Sequence, residues 1–240
     1  MPERSKPPRH DGDIRRQVVT FSFYRVLPEW RRLPREQRDE QGREFADVIG
    51  AWRQSEDMTV LTYSTVGMRS DCDFMLWRIC YSVECLQQMQ KDLRATRLGG
   101  YVHMTHNFLG MTKRSQYVVG RDDDPGALGV IRPGAHRYAL VMPFTKTRAW
   151  YQLPFEQRQR IVHEFIAASR QYPRVIQNTT YSFGLDDNEF VLAFESNHPE
   201  DFVDMCMDLR ETENYMYVLR DTPMILSLQC TPEEMLERLG

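Results

Sequence analysis

Six histidines and five cysteines are the residues here whose side chains could hold a metal or act as nucleophiles. Their spacing argues against most such chemistry. His103 and His106 share one apolar-polar run, but an i, i+3 spacing on a strand sends them to opposite faces, a poor arrangement for a shared ion. His10, His136 and His198 stand apart, beside polar or proline-rich sequence. Cys72, Cys80, Cys85, Cys206 and Cys230 are odd in number and contain no C-x-x-C, so neither a zinc site nor a thioredoxin-like pair is expected. Reduced thiols in a cytoplasmic protein are the expectation. Asp186-Asp187 invites a metal reading, although two acids before a strand are more often turn chemistry. No Ser-His-Asp order, phosphate loop or H-E-x-x-H occurs.

The elements that would position these residues come in two copies. W-R-R-L-P-R-E-Q-R-D-E-Q-G-R-E-F from Trp30 to Phe45 and W-Y-Q-L-P-F-E-Q-R-Q-R-I-V-H-E-F from Trp150 to Phe165 agree at eight of sixteen positions, with an offset of 120. The match resumes at Thr62-Tyr63-Ser64 against Thr180-Tyr181-Ser182. It resumes again at Asp92-Leu93-Arg94 against Asp208-Leu209-Arg210, as the offset drifts to 118 and then 116. So long a period indicates duplicated domains rather than solenoid units.

Within the first copy, 18–26 is rich in β-branched and aromatic residues and predicts a strand. A helix follows Pro34 with Phe45, Val48, Ile49 and Trp52 at helical spacing. Strands over 58–66 and 74–81, a helix over 83–96 and a strand over 101–111 complete it. The second copy repeats the order: strand 137–144, helix 154–171, a hairpin of 175–183 and 189–195, helix 199–212 and strand 224–228. Each copy is therefore β-α-β-β-α-β, the ferredoxin-like arrangement. The fold class is α+β, with two repeats covering each other sheet on sheet as an α+β barrel, because two isolated copies would expose apolar sheet faces.

The expected organisation is a disordered tail at 1–16, a first domain at 17–118, a linker at 119–135, a second domain at 136–232 and a C-terminal tail at 233–240. The 240 residues suffice for two domains of ordinary size. A net charge of -3 and a pI near 6.1 offer nucleic acid no basic surface. No apolar run approaches the roughly 20 residues of a membrane helix. The polar, proline-containing start lacks the apolar core of a secretory signal.

Trp150-Tyr151-Gln152-Leu153-Pro154 with Glu156-Gln157-Arg158 resembles a signature of the chlorite dismutase superfamily. Tyr172-Pro173, the run from Asn178 to Asp187, and Leu209-Arg210-Glu211-Thr212-Glu213 continue the resemblance, which spans about 17–230. It implies a porphyrin pocket in the second half. It implies either chlorite splitting or the peroxide-dependent conversion of iron coproporphyrin to haem b, and a homopentamer or another homo-oligomer. Haem b or coproheme would be the cofactor.

The residues at the family's positions depart from its pattern. The proximal histidine stands seven residues before the tyrosine of Tyr172-Pro173, and that position is Phe165, which cannot ligate iron. The first copy also has phenylalanine there, Phe45. His163 is the nearest candidate for the metal, but it is rotated by about 200° around a helix. Met142 stands where coproheme decarboxylases carry a radical tyrosine. Gln177 stands where chlorite dismutases carry an arginine and one branch of coproheme decarboxylases a glutamine; it can hydrogen-bond a ligand but brings no positive charge for an oxyanion. Lys146 falls at a lysine near a porphyrin propionate, and Trp150 at the pocket wall.

Three readings follow. One is a divergent family member that binds a tetrapyrrole or other ligand, or serves assembly, without the usual iron anchor. The second is a haem-dependent oxidoreductase with a non-standard ligand. The third is a structural subunit with a protein partner.

Overall fold

The computed structural model describes residues 15–117 and 129–240. The first half runs β1 (Val18–Val26), α1 (Pro28–Arg31), α2 (Arg35–Gln54), β2 (Met58–Ser64), β3 (Phe74–Cys80), α3 (Val83–Ala95) and β4 (Val102–Met111). The second runs β5 (Tyr138–Lys146), α4 (Arg148–Gln152), α5 (Phe155–Ser169), β6 (Ile176–Tyr181), β7 (Phe190–Ser196), α6 (Glu200–Glu211), β8 (Val218–Arg220), β9 (Ile225–Gln229) and α7 (Pro232–Glu237). Pro34 and Pro154 sit at the N-caps of α2 and α5, so both copies start their long helix at the same repeated proline. The short helices α1 and α4 precede them and bury the repeated Trp30 and Trp150.

The strands close on themselves in the order β7-β6-β4-β1-β3-β2-β9-β5, with β5 returning to β7 and β8 flanking β5. Two short seams join the halves: Met111 opposite Tyr181 between β4 and β6, and Tyr63 opposite Gln229 between β2 and β9. At the first seam a Cβ on Gly110 would lie 2.8 Å from Thr180 Oγ1, so the strands meet where glycine leaves room.

Strand alternation then sorts the core. Val19, Phe21, Phe23, Tyr63, Met75 and Trp77 point into the barrel and meet Ala139, Val141, Val191, Ala193 and Ile225 from the other half. The opposite faces carry their helices: Tyr24, Phe74 and Leu76 under α2 and α3, and Leu140, Phe144 and Phe194 under α5 and α6. Phe21, Phe23 and Trp77 are fully buried, and side chains of this kind each contribute about 1.5–3 kcal/mol.

Three sequence expectations change. Residues 233–240 do not trail off as a tail. Thr231 caps α7 through a reciprocal capping box with Glu234, and Met235, Leu236 and Leu239 bury against the first half's helical core. The later part of the expected linker is anchored: Gln17 donates to Ile131 O at 3.1 Å and accepts from Ile131 N at 2.7 Å. His103 and His106 share a face after all. A bulge between the partners of Phe23 and Tyr24 sets His106 opposite Phe23 and His103 opposite Arg25, two positions of one β1 face. Positions 1–14 of the expected tail and 118–128 of the expected linker lie outside the described residues.

Candidate functional site: a basic-lined apolar cleft in the second half

A cleft of about 450 Å³ opens between the second half's sheet and α5, within the ~300–1,000 Å³ of small-molecule sites. The local periodicities explain its walls. Val162, Phe165, Ile166 and Ser169 recur at i, i+3, i+4 and i+7 and so form one face of α5. Gln177, Thr179 and Tyr181 alternate along β6, and Phe190 and Leu192 along β7. Phe144 and Lys146 come from β5, Trp150 from α4, and Asn214 from the 3-10 turn Glu213–Tyr217. Lys113, Ser115 and Tyr117, which follow β4, complete the rim.

The duplicated sequence shows why this half is open and the other is not. In the first half Phe45, Ile49, Tyr24 and Phe74 fill the equivalent space, with Tyr24 stacked on Phe74 at 5.0 Å and Phe45 edge-on at 6.1 Å. Their counterparts by offset are Phe165, Ser169, Phe144 and Phe190. Replacing the fully buried Ile49 by a serine leaves a void beside the retained aromatics. Val26 gives way to Lys146, which puts an amine in that void.

Lys146 is 6% exposed. Its Nζ donates to the Asn214 side-chain oxygen at 2.6 Å and to the Asn214 backbone oxygen at 3.0 Å, and lies 4.3 Å from the centre of the Trp150 ring. Among the described residues no carboxylate forms an ion pair with it: Glu189 accepts from the Lys146 backbone N–H at 2.7 Å and from the Tyr151 hydroxyl at 2.5 Å. Burial therefore pulls the amine down to about 7, with Glu189 opposing weakly. Burial beside the Glu189 carboxylate raises the Tyr151 phenol.

Of the sequence-predicted site residues, Phe165, Gln177, Lys146 and Trp150 converge on the cleft. Met142 does not line it. It is 1% exposed, packed with Leu140, Phe144 and Leu192 in the core behind the wall. His163 faces away: its Nε2 lies 2.8 Å from the backbone oxygen of Tyr117, on the exposed side of α5. Asp186 serves its turn, accepting from Asp187 N at 2.7 Å and from Leu109 N at 2.9 Å. Sequence reading missed Asn214, Lys113 and Arg170. The helical spacing from Phe165 carried a usable signal for Val162, Ile166 and Ser169; Asn214 had none, because only tertiary folding brings its turn to Lys146.

Among the described lining residues, three are basic (Lys113, Lys146 and Arg170) and none is acidic. The walls fit the flat apolar faces of a tetrapyrrole, and the bases fit its carboxylates. The iron of a haem does not find its usual anchor: no histidine, cysteine or methionine is among the described lining residues. Of the three lining tyrosines, the Tyr117 hydroxyl accepts from Arg158 and the Tyr172 hydroxyl donates to Asp208.

The family sequence profile described as chlorite dismutase matches residues 35–230. This chain belongs to the chlorite dismutase family. It is 32% identical over 231 residues to a coproheme decarboxylase of Mycolicibacterium smegmatis, covering 93% of this chain and 94% of the relative. It is 28% identical over 215 residues to a chlorite dismutase of Ideonella dechloratans, covering 87% and 74%. The structure of a chlorite dismutase from Candidatus Nitrospira defluvii in complex with imidazole superposes with a TM-score of 0.83 at 26% identity, over 92% of this chain and 94% of that one. The two-repeat α+β fold expected from the sequence is thus the family's fold. Among the described residues no helix is long and apolar enough to cross a membrane.

Proposed function

We propose that this protein is a divergent member of the family that binds a flat, apolar, anionic ligand of the tetrapyrrole class without side-chain imidazole ligation. On this reading it is neither a chlorite dismutase nor a standard coproheme decarboxylase. The observation that carries the reading is Phe165 on the cleft wall, with no histidine among the described lining residues. Val162, Phe165, Ile166 and Leu192 would cover a ring face, while Lys113, Lys146 and Arg170 would receive carboxylates. Gln177 offers a neutral hydrogen bond and no cationic stabilisation of an oxyanion. The absence of a tyrosine at Met142, and the burial of that residue outside the cleft, support the loss of a radical decarboxylation route.

A second reading, a haem-dependent oxidoreductase, is favoured by the 32% identity to a coproheme decarboxylase. It requires His163 to leave Tyr117 and enter the cleft. We extend the first reading to a homo-oligomer, supported by Val203, Met207, Met216 and Leu219, which stand exposed on or near α6 and β8.

Titration with metal-free coproporphyrin, iron coproporphyrin and hemin tests the choice. The expected result is saturable binding of metal-free and iron forms alike, with no histidine-ligated Soret spectrum and no change in His163→Ala. A histidine-type spectrum that disappears in His163→Ala would establish the second reading. The absence of saturable binding by any of the three would overturn both.

A further inference from the structure

We propose that Lys146 is an imine-forming lysine: the cleft accepts ligands bearing an aldehyde or ketone and holds them covalently through Nζ. The inference rests on the cleft being a ligand site, but not on a tetrapyrrole being its ligand.

The argument begins with scarcity. The chain has four lysines, Lys6, Lys91, Lys113 and Lys146, against twenty-seven arginines. Among the described lysines, Lys91 is exposed and Lys113 half-buried, and only Lys146 is buried. An arginine at this position could bind an anion at least as well, because its fork is always charged and matches a carboxylate. A lysine can do one thing an arginine cannot, which is to present a nitrogen lone pair.

The surroundings allow that. Asn214 fixes the nitrogen through two oxygens, neither of which carries a charge. The other charged and titratable groups among the described lining residues of the cleft are Lys113, Arg170, Tyr117, Tyr172 and Tyr181. Glu189 is spent on a backbone N–H and on Tyr151, and Tyr151 stays protonated. Tyr215 packs on Phe144 and Tyr217 on Trp150, the two rings that flank the amine. The amine consequently titrates near neutrality, so a large fraction is uncharged at pH 7. The cleft beside it is lined mostly by apolar and aromatic side chains, which limit water around a bound carbonyl.

The chemistry balances without a co-reactant. The Nζ lone pair forms a C–N bond to the carbonyl carbon, and a proton passes from nitrogen to the carbonyl oxygen. The carbinolamine then gives its remaining N–H proton to that oxygen; the C–O bond breaks, water leaves, and the nitrogen pair forms the C=N bond. Amine and carbonyl enter, imine and water leave, and no atom changes oxidation state overall.

The test uses the intact protein with 4-formylbenzoate, an aromatic aldehyde carrying one carboxylate, and cyanoborohydride to trap the imine. Peptide mass mapping then follows each lysine with time. At pH 7 Lys146 should be trapped at least about tenfold faster than Lys91, because about half of its amine is unprotonated, against well under a hundredth of an ordinary lysine. The pH profile of trapping at Lys146 should have its midpoint near 7 rather than near the ~10.4 of an ordinary lysine. Lys146→Met should remove this fast site and leave Lys91 unchanged. The pH profile of the unaltered protein decides the matter even if that variant does not fold. Trapping at Lys146 no faster than at Lys91, or with a midpoint near 10, would overturn the proposal. If porphyrins bind and Lys146 is not trapped, the imine site falls and the tetrapyrrole reading stands. If Lys146 is trapped and porphyrins do not bind, the reverse holds.

Discussion

Phe165 puts a phenyl ring, which has no lone pair, on the cleft wall, and on the proposed reading that is the position from which an imidazole would address a metal. It lies on the α5 face that lines the cleft, 9% exposed, with Val162, Ile166 and Ser169 beside it. An imidazole is smaller than a phenyl ring, so Phe165→His should fit this wall without overpacking. Its nitrogen would then reach a ligand in the cleft, which His163 cannot do from across the helix. The prediction is a gain of function: Phe165→His bound to hemin shows a nitrogen-ligated, high-spin spectrum that the unaltered protein lacks. Indistinguishable hemin spectra for the two proteins would mean that position 165 does not address the metal. This residue was legible in the sequence, because the repeat aligned Phe45 with Phe165 and the Tyr172-Pro173 turn fixed the count. The state of Lys146 was not. Nothing in T-K-T announces burial, and the contacts that hold the amine come from Asn214, sixty-eight residues away.

The strands and long helices were readable because each rests on local signals that agree. Repeated prolines start α2 and α5, β-branched and aromatic runs make β1 and β5, and apolar spacing marks the helix faces. The misses are elements of one or two turns, in which periodicity has no room to develop, and a bulge that only cross-strand pairing defines. The helix α7 is instructive, since Thr231-Pro232-Glu233-Glu234 contains a complete start signal in a segment expected to be a tail. Its function is to close the bottom of the first half's core: Met235 is fully buried, and a Cβ added at Gly42 of α2 would lie 3.9 Å from Leu236. Met235→Ala should therefore cost about 2–5 kcal/mol, the usual range for truncating a buried side chain. Urea unfolding measures it. A loss well under 1 kcal/mol would show that α7 merely rests on the surface.

At the scale of the molecule, the closed barrel makes the two halves one folding unit. Neither sheet covers its own inner face: Val19, Phe21, Phe23 and Trp77 from one half are buried by Val141, Val191, Ala193 and Ile225 from the other. The direct strand pairing at the two seams is short, so the shared interior supplies most of the coupling. The sequence implied this arrangement through the duplication alone, because two exposed apolar faces of one chain have an obvious partner in each other. The resemblance put a pocket in the second half, but the duplication could not show what opens it, since that follows from single exchanges such as Ile49 for Ser169. Opening one half while the other stays filled should leave cooperativity intact, because the cleft lies on the helix side of the sheet and the coupling lies inside the barrel. Urea unfolding should therefore be a single transition when followed by far-ultraviolet circular dichroism and by two fluorescence probes: Trp77 in the interior and Trp150 at the cleft, each read after the other tryptophans are replaced by phenylalanine. Midpoints that separate would mean that each half holds its own inner face without the other. The first half expressed alone, 17–117, would then be soluble and folded, where the shared interior predicts that it exposes its aromatic lining and aggregates.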